Sequence, residues 1–170
     1  TTGRSGPVWI DIPMDVQSAQ IDPKNLERFA GKTPIYESNL KDFESLLKNS
    51  ERPIVLAGNG VKQSGAGKKL QAFIEKHNIP MVSTFLGVDL LPTSHPLNIG
   101  RVGIKGNRAA NFAMQNSDLL LSIGTRLSVP STGYKYELFA REAKLVVVDI
   151  DAEEHKKDTV KIDMFIHMDA

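Results

Sequence analysis

Cysteine is absent from the 170 residues of this chain. Its absence excludes disulfide bridges, thiolate nucleophiles and cysteine-ligated zinc sites. The sequence also lacks any apolar run near the ~20 residues of a membrane-spanning helix, so we expect no membrane partner. Neither sign of charge is in excess, because 21 basic and 20 acidic residues leave a net charge of +1. That balance predicts no nucleic-acid partner.

The remaining composition is that of one globular domain. Hydrophobic residues make up 41% of the chain and charged residues 24%, which excludes a disordered protein. The chain begins without a methionine, shows no signal-peptide pattern and ends directly after an apolar run. We therefore expect a piece of a larger protein, and the lack of cysteine favours a reducing, cytoplasmic location.

Short apolar runs alternate with helical patterns from residue 38 onward. Continuous runs at 54–57, 119–123 and 144–150 are typical of parallel strands covered on both faces, and 80–84 and 160–166 predict two more strands. Helices are predicted from Ser38 to just before Arg52 and at Gly65–His77, Lys105–Asn116 and Tyr136–Glu142, with loops at 85–104 and 127–135. The alternation predicts an α/β fold: a doubly wound, mostly parallel, Rossmann-like sheet of five or six strands with helices on both faces.

The first part of the chain has a different character. Residues 7–12 form a β-rich run with no nearby partner strand. Residues 13–38 contain Pro13, Pro23, Gly31 and Pro34 without sustained periodicity, which is typical of an extended connection. The domain proper is therefore predicted to begin near Ser38.

Four predicted strands end on residues that suit a ligand. These strand ends are Gly58-Asn59-Gly60, Thr84-Phe85-Leu86-Gly87, Gly124-Thr125-Arg126 and Asp149-Ile150-Asp151. In an open α/β sheet the ligand crevice lies outside the carboxyl ends of the strands. A glycine turn admits a pyrophosphate, an arginine pairs with phosphate, and a carboxylate accepts a hydrogen bond from a ribose hydroxyl. Together these strand ends predict a site for an adenine dinucleotide.

Each of these features also has a plainer interpretation. Gly58-Asn59-Gly60 departs from the dinucleotide fingerprint, because the next glycine, Gly65, comes five residues after Gly60 where the fingerprint requires three. A glycine after a strand is often a simple turn, and Arg126 suits a structural cation. Asp149 and Asp151 suit caps of the short helix that follows them.

Two further charged or glycine-rich segments lie near predicted helices. The segment Gly103-Ile104-Lys105-Gly106 precedes a helix, so its amides suit either an anion or a plain helix start. The pairs Glu153-Glu154 and Lys156-Lys157 are predicted to form a solvated turn. The four histidines show no metal-binding spacing, and we find no catalytic constellation in the sequence.

Several stretches resemble one enzyme family. The run Gly6-Pro7-Val8-Trp9-Ile10-Asp11-Ile12-Pro13 resembles the end of the pyrimidine-binding domain of thiamine-diphosphate-dependent enzymes. Residues 52–60, 100–106, 116–126 and 147–151 resemble the middle domain of the acetolactate synthase-like branch. The resemblance implies that residues 1–37 are the end of the preceding domain plus a linker. Residues 38–170 would then be the central domain, truncated at its C-terminal end.

The resemblance also implies the parent enzyme. Such an enzyme is a homo-oligomeric carboligase or decarboxylase acting on a 2-oxo acid, with thiamine diphosphate and Mg²⁺ bound between its first and third domains. The activating glutamate lies upstream in the family, and the Gly-Asp-Gly…Asn motif lies downstream. The fragment is therefore expected to bind no thiamine diphosphate and to be inactive alone, with the flanking domains as its partners.

Family members differ in what their middle domain binds: FAD, ADP or nothing. The positions that match flavin contacts in the family are Gly58, Gly60, Gly87, Gly103, Gly106, Gly124, Arg126, Asp149 and Asp151, and Asn59 and Thr125 complete the candidate set. The chain departs from the pattern after Arg126, where Leu127-Ser128-Val129-Pro130 replaces the Phe-Asp-Asp-Arg common in acetolactate synthases. FAD, ADP and an empty crevice all stay open, as do a stand-alone NAD- or ADP-binding domain and a purely structural domain that serves subunit packing.

Overall fold

A computed structural model describes residues 6–27 and 40–170. The chain divides into two compact units, Thr1–Ile35 and Tyr36–Ala170. The predicted helix start at Ser38 lies outside the described residues, and a domain boundary at Ser38 stays a prediction.

The first unit contains two short helical segments. They are α1, Met14–Gln17, and a 3-10 helix, Pro23–Asn25, which begins where the Asp22 side chain accepts a hydrogen bond from the Lys24 amide at 3.0 Å. The β-rich run 7–12 forms no strand, and the side chain of Trp9 is 90% exposed. The run has the sequence of a strand but, among the residues described, no partner to pair with.

The second unit is built on one parallel sheet, as the sequence predicts. Its strands are β1 Pro53–Ala57, β2 Met81–Ser83, β3 Asn98–Arg101, β4 Leu119–Ile123, β5 Lys144–Asp149 and β6 Met164–His167. They lie in the order β3-β2-β1-β4-β5-β6, and every neighbouring pair is parallel. Strand order reverses between β1 and β4, which is the point where doubly wound sheets open a crevice at their carboxyl edge.

Helices connect the strands. They are α2 Leu40–Asn49, α3 Asn59–Gln63, α4 Gly67–His77, α5 Arg108–Gln115 and α6 Val129–Thr132, with 3-10 helices at Phe85–Gly87, Tyr136–Leu138 and Glu154–Lys156. The helix α4 ends at Asn78, whose left-handed φ of 52° turns the chain toward β2. No helix among the described residues is long and apolar enough to cross a membrane.

Two apolar cores cover the two faces of the sheet. In β1, Ile54 and Leu56 point into one core and Val55 and Ala57 into the other, because side chains alternate along a strand. The first core includes Ala110 and Met114 of α5, and the second includes Leu70 and Ile74 of α4. This double burial explains the continuous apolar runs and confirms the predicted α/β class with helices on both faces.

The structure differs from the sequence prediction in five places. The predicted loop 85–104 contains β3, an edge strand whose four residues are all half-buried. A short helix, α3, follows β1 directly, and α4 begins at Gly67 rather than Gly65. The predicted loop 127–135 contains α6, and the predicted helix near Tyr136–Glu142 is a single 3-10 turn. These short elements carry too few periodic apolar residues to be recognised from pattern alone.

Candidate functional site

The turns after β1 and β4 are in direct backbone contact at the switch point. The Gly58 amide donates to Ile123 O at 2.9 Å, and the Gly60 amide donates to Gly124 O at 2.9 Å. A Cβ on Gly60 would lie 2.6 Å from Gly124 Cα, and a Cβ on Gly58 would lie 2.7 Å from Thr125 Cγ2. No real Cβ tolerates such distances, so these glycines are required for packing whether or not a ligand binds.

Thr125 belongs to the same packing arrangement. Its side chain is buried, with 3% of the residue exposed, and Thr125 Oγ1 lies 2.7 Å from Ser122 Oγ of β4. The hydroxyl of Thr125 is therefore paired inside the protein, while its methyl group packs on Gly58. Asn59, which begins α3, is half-buried at the rim of the same turn.

The remaining candidate glycines also permit close backbone contacts. A Cβ on Gly87 would lie 2.7 Å from Ala57 O, and one on Gly106 would lie 2.6 Å from the carbonyl carbon of Val102. Gly103 has a left-handed φ of 94°, and its Cβ would overlap the carbonyl of Pro130 in the loop after β4. The carboxyl-edge loops are thus packed against one another.

Three of the four amides considered for anion binding at 103–106 are already paired. The Gly103 amide donates to Asn111 Oδ1 at 2.8 Å, Ile104 donates to Pro130 O at 3.0 Å, and Gly106 donates to Gly103 O at 2.9 Å. The start of α5 is capped by Asn107, whose side chain accepts from the Ala110 amide at 2.7 Å. This segment has the features of a helix start rather than of an open anion cradle.

Arg126 lies at the exposed rim and is part of a closed ring of interactions. Its Nη2 lies 2.9 Å from Glu154 Oε2, and the second carboxylate oxygen of Glu154 pairs with Lys157 Nζ. Lys157 Nζ also donates to the carbonyl oxygen of Arg126 at 2.6 Å, which closes the ring. Arg126 is 63% exposed, whereas the carboxylate-bearing side chain of Glu154 is 13% exposed.

The ring fixes the charge of Glu154. Burial acts to raise the pKa of this carboxyl, but hydrogen bonds from Lys157 and Arg126 outweigh burial and lower the pKa to about 2. The hydrogen bond between Arg126 and Glu154 also raises the pKa of Arg126. The sequence predicts a solvated turn at Glu153-Glu154 and Lys156-Lys157. This prediction holds for Glu153, whose side chain is 76% exposed, but it is wrong for Glu154, whose side chain is 13% exposed. The i,i+3 spacing to Lys157 is a signal for that pair, but nothing in the sequence points to Arg126.

The two candidate aspartates organise the chain after β5. Asp149 is 3% exposed, and its Oδ1 accepts from the Asp151 amide at 2.9 Å. Asp151 is half-buried, and its Oδ1 accepts from the amides of Glu153 at 3.0 Å and Glu154 at 3.3 Å, where the 3-10 helix begins. The plainer interpretation as a cap therefore describes the contacts of Asp151, whereas Asp149 binds an amide that precedes the 3-10 helix.

The buried Asp149 has an unusual neighbour. His155 Nε2 lies 3.4 Å from Asp149 Oδ2, the His155 side chain is 3% exposed, and neither ring nitrogen makes a hydrogen bond among the residues described. The ring packs on Phe165 of β6, with ring centroids 5.3 Å apart. The sequence did not single out His155 as part of this edge.

The loops after β2 and β3 add an apolar surface, in two segments where the sequence pointed to the glycines rather than to the apolar side chains. Phe85, Leu86 and Ile104 are 63%, 58% and 65% exposed, and the guanidinium of Arg101 lies 5.2 Å from the centroid of the Phe85 ring. This arrangement is a cation–π contact at a surface position. No group of three or more His, Asp or Glu within 6–27 and 40–170 is placed to hold a metal ion.

The sheet order and the switch point between β1 and β4 define a doubly wound α/β domain of the Rossmann-like class. The family model described as thiamine pyrophosphate enzyme, central domain, matches residues 40–170, and the chain belongs to this family.

The chain is also similar to acetolactate synthases. It is 41% identical to the probable acetolactate synthase large subunit of Methanocaldococcus jannaschii, across 100% of this chain and 30% of that protein. It is 38% identical to the acetolactate synthase large subunit of Lactococcus lactis, across 99% of this chain and 30% of that protein. It is 36% identical to acetolactate synthase 2, chloroplastic, of Nicotiana tabacum, across 92% of this chain and 24% of that protein. The chain thus spans less than a third of the length of these relatives.

The glycine packing predicts the effect of a single methyl group at the switch point. In Gly124→Ala the new Cβ would lie 2.7 Å from Gly60 Cα and from the Val61 amide nitrogen, and residue 124 has a φ of 59°. Gly65→Ala is the matched control, because Gly65 has a φ of 71° but nothing within 4 Å of a Cβ. Left-handed strain costs ~1–2 kcal/mol in both variants, and overpacking adds ~1–3 kcal/mol in Gly124→Ala alone. Urea unfolding measures the difference, and equal losses would contradict the contact.

The charge of Glu154 predicts a pH dependence of stability. A carboxyl whose pKa falls from 4.5 to about 2 on folding stabilises the protein above pH 4.5, and this contribution is lost as the pH falls toward 2. We expect Glu154→Gln to lower the free energy of unfolding at pH 7, with a gap to the wild type that narrows below pH 4.5. Urea unfolding at a series of pH values measures the gap. Glu153→Gln is the control, since this exposed carboxylate pairs with Lys156 at the surface, and a gap for Glu154→Gln that is independent of pH would refute the prediction.

Proposed function

We propose that this chain is part of a homo-oligomeric thiamine-diphosphate-dependent enzyme of the acetolactate synthase type, which acts on a 2-oxo acid as a carboligase or decarboxylase. The observation that carries the proposal is similarity over essentially the whole chain to acetolactate synthase large subunits. The match to the central-domain model supports the same assignment. We place the parent enzyme in the cytoplasm, although the tobacco relative is named as chloroplastic.

Thiamine diphosphate and Mg²⁺ belong to the flanking domains in this proposal. The sequence contains no Gly-Asp-Gly run that would hold the metal and the diphosphate. When bound, thiamine diphosphate supplies the carbanion chemistry of the reaction. This chain contributes none of that chemistry and serves subunit packing, so it is inactive alone.

We further propose that the carboxyl edge binds an adenine nucleotide, either ADP or the ADP part of FAD. Arg126 supports this proposal, because a guanidinium has five N–H donors and this one is 63% exposed. Asn59 and Asp151 are half-buried at the same edge, and a ligand reaches Asp151 before the buried Asp149. The exposed side chains of Phe85, Leu86 and Ile104 offer an apolar surface to an aromatic ring. In this arrangement the glycines shape the edge, and side chains rather than glycine amides contact the ligand.

A structural domain without a ligand is the second candidate. It is favoured by the pairing of the glycine amides with protein acceptors and by the contact of Arg126 with Glu154. A stand-alone NAD-binding domain is the weaker alternative, because the spacing from Gly60 to Gly65 breaks the fingerprint.

Calorimetry on the purified chain separates these candidates. We expect saturable binding of ADP or FAD, no binding of NAD, and no binding of thiamine diphosphate with Mg²⁺. Binding of no nucleotide would favour the structural domain, and tight binding of NAD would favour the stand-alone domain. A saturable micromolar isotherm with thiamine diphosphate would overturn the assignment of that cofactor to the flanking domains.

Arg126→Ala tests the placement of the nucleotide. Loss of a charge-assisted contact costs ~1.5–3 kcal/mol, which is roughly a ten- to hundredfold loss of affinity for ADP. Lys156→Ala is the matched control, because Lys156 is a 68% exposed cation of the same surface that pairs with Glu153. Calorimetric titration with ADP measures both variants. Equal affinities of the wild type and Arg126→Ala would remove Arg126 from the site.

A further inference from the structure

We propose that Glu154 is a positioning residue of the nucleotide crevice, which holds the guanidinium of Arg126 where it meets the phosphates. This inference rests on the proposed nucleotide site and adds a residue that sequence reasoning placed in solvent. Its basis is the closed ring of Arg126, Glu154 and Lys157.

The ring geometry makes Glu154 the shared partner of two cations. One carboxylate oxygen lies 2.9 Å from Arg126 Nη2, and the other pairs with Lys157 Nζ. Lys157 Nζ also donates a hydrogen bond to the carbonyl oxygen of Arg126, at 2.6 Å. Both the backbone and the side chain of Arg126 are therefore tied to the segment after β5. An arginine side chain samples many rotamers in solvent. Holding it in place lowers the conformational entropy that is lost when a ligand binds.

Glu154 neutralises only part of the charge within the ring. Two cations and one carboxylate give the ring itself a net charge of +1, and the carboxylates of Asp151 and Asp149 act on Arg126 from outside it. Although Glu154 is only 13% exposed, hydrogen bonds from Lys157 and Arg126 lower its pKa to about 2, so the carboxyl is ionised at neutral pH. The contact to Glu154 engages Nη2 of Arg126, and the 63% exposure leaves much of the guanidinium accessible to a ligand.

The neighbouring pair of Glu153 and Lys156 shows that spacing alone does not produce this role. Glu153 and Lys156 have the same i,i+3 spacing in the same 3-10 turn, with Oε1 and Nζ 2.5 Å apart. Both side chains are exposed, at 76% and 68%, and neither is paired with Arg126 among the described contacts. Glu153→Gln is therefore a matched control for Glu154→Gln.

The experiment compares ADP with adenosine on the wild type and the two variants. We expect Glu154→Gln to weaken ADP binding about tenfold and to leave adenosine binding, followed by NMR, unchanged, because adenosine has no phosphate. We expect Glu153→Gln to bind both ligands like the wild type. In an Arg126→Ala background, Glu154→Gln should cause no further loss of ADP affinity.

Each outcome decides a separate point. A wild-type chain that binds no ADP overturns the proposed site and, with it, the role of Glu154. Wild-type binding with unchanged or tighter ADP affinity in Glu154→Gln overturns the positioning role alone, and an equal loss for ADP and adenosine assigns Glu154 to general structure. If Glu154→Gln fails to fold, Glu154→Asp keeps the charge but draws it back from Arg126, and the same selective loss of ADP affinity is expected. Its absence there would also refute the proposal.

Discussion

The contact between two backbone turns at the switch point organises the carboxyl edge of this protein. The turn after β1 and the turn after β4 approach so closely that a Cβ on Gly60 would lie 2.6 Å from Gly124 Cα, and a methyl group on Gly60 or Gly124 has no space. Strands β1 and β4 pair in register from Pro53 with Leu119 to Ala57 with Ile123, and the hydrogen bonds of Gly58 and Gly60 continue that pairing beyond the strands. This close approach shapes the edge, and Gly87 after β2 packs in turn on the carbonyl oxygen of Ala57 at the end of β1.

The loop after Gly124 depends on a second, electrostatic constraint. Leu127 is buried, with 2% exposed, and has a left-handed φ of 46°, which is costly for a residue with a branched side chain. This turn sends Leu127 into the core and leaves Arg126 at the rim. Exposed ion pairs contribute little to stability, but Glu154 is mostly buried, and removing either of its partners leaves a carboxylate that water reaches poorly. The ring therefore ties the β4 loop to the segment after β5.

The residues of the carboxyl edge fall into two groups, those packed within the protein and those exposed at its surface. Glycine amides and the Thr125 hydroxyl make hydrogen bonds within the protein. The guanidinium of Arg126 and the apolar side chains after β2 and β3 are exposed to solvent. In our proposal, this edge binds a nucleotide through side chains and serves a larger enzyme as a packing surface. Both uses suit a domain that spans less than a third of the acetolactate synthases it resembles.

The sequence by itself determined the fold class and the family. Runs such as Ile54–Ala57 and Leu119–Leu121 are apolar throughout because both faces of the sheet are covered, and this local pattern is readable without coordinates. The edge strand β3 escaped prediction because Asn98-Ile99-Gly100-Arg101 is half-buried and contains a glycine with a φ of 117°. Only the tertiary structure decided which contacts the candidate residues make. The way in which separate loops pack decides which amides are already paired, and it brings Glu154 into contact with Arg126, 28 residues away along the chain. Sequence spacing does not encode such contacts.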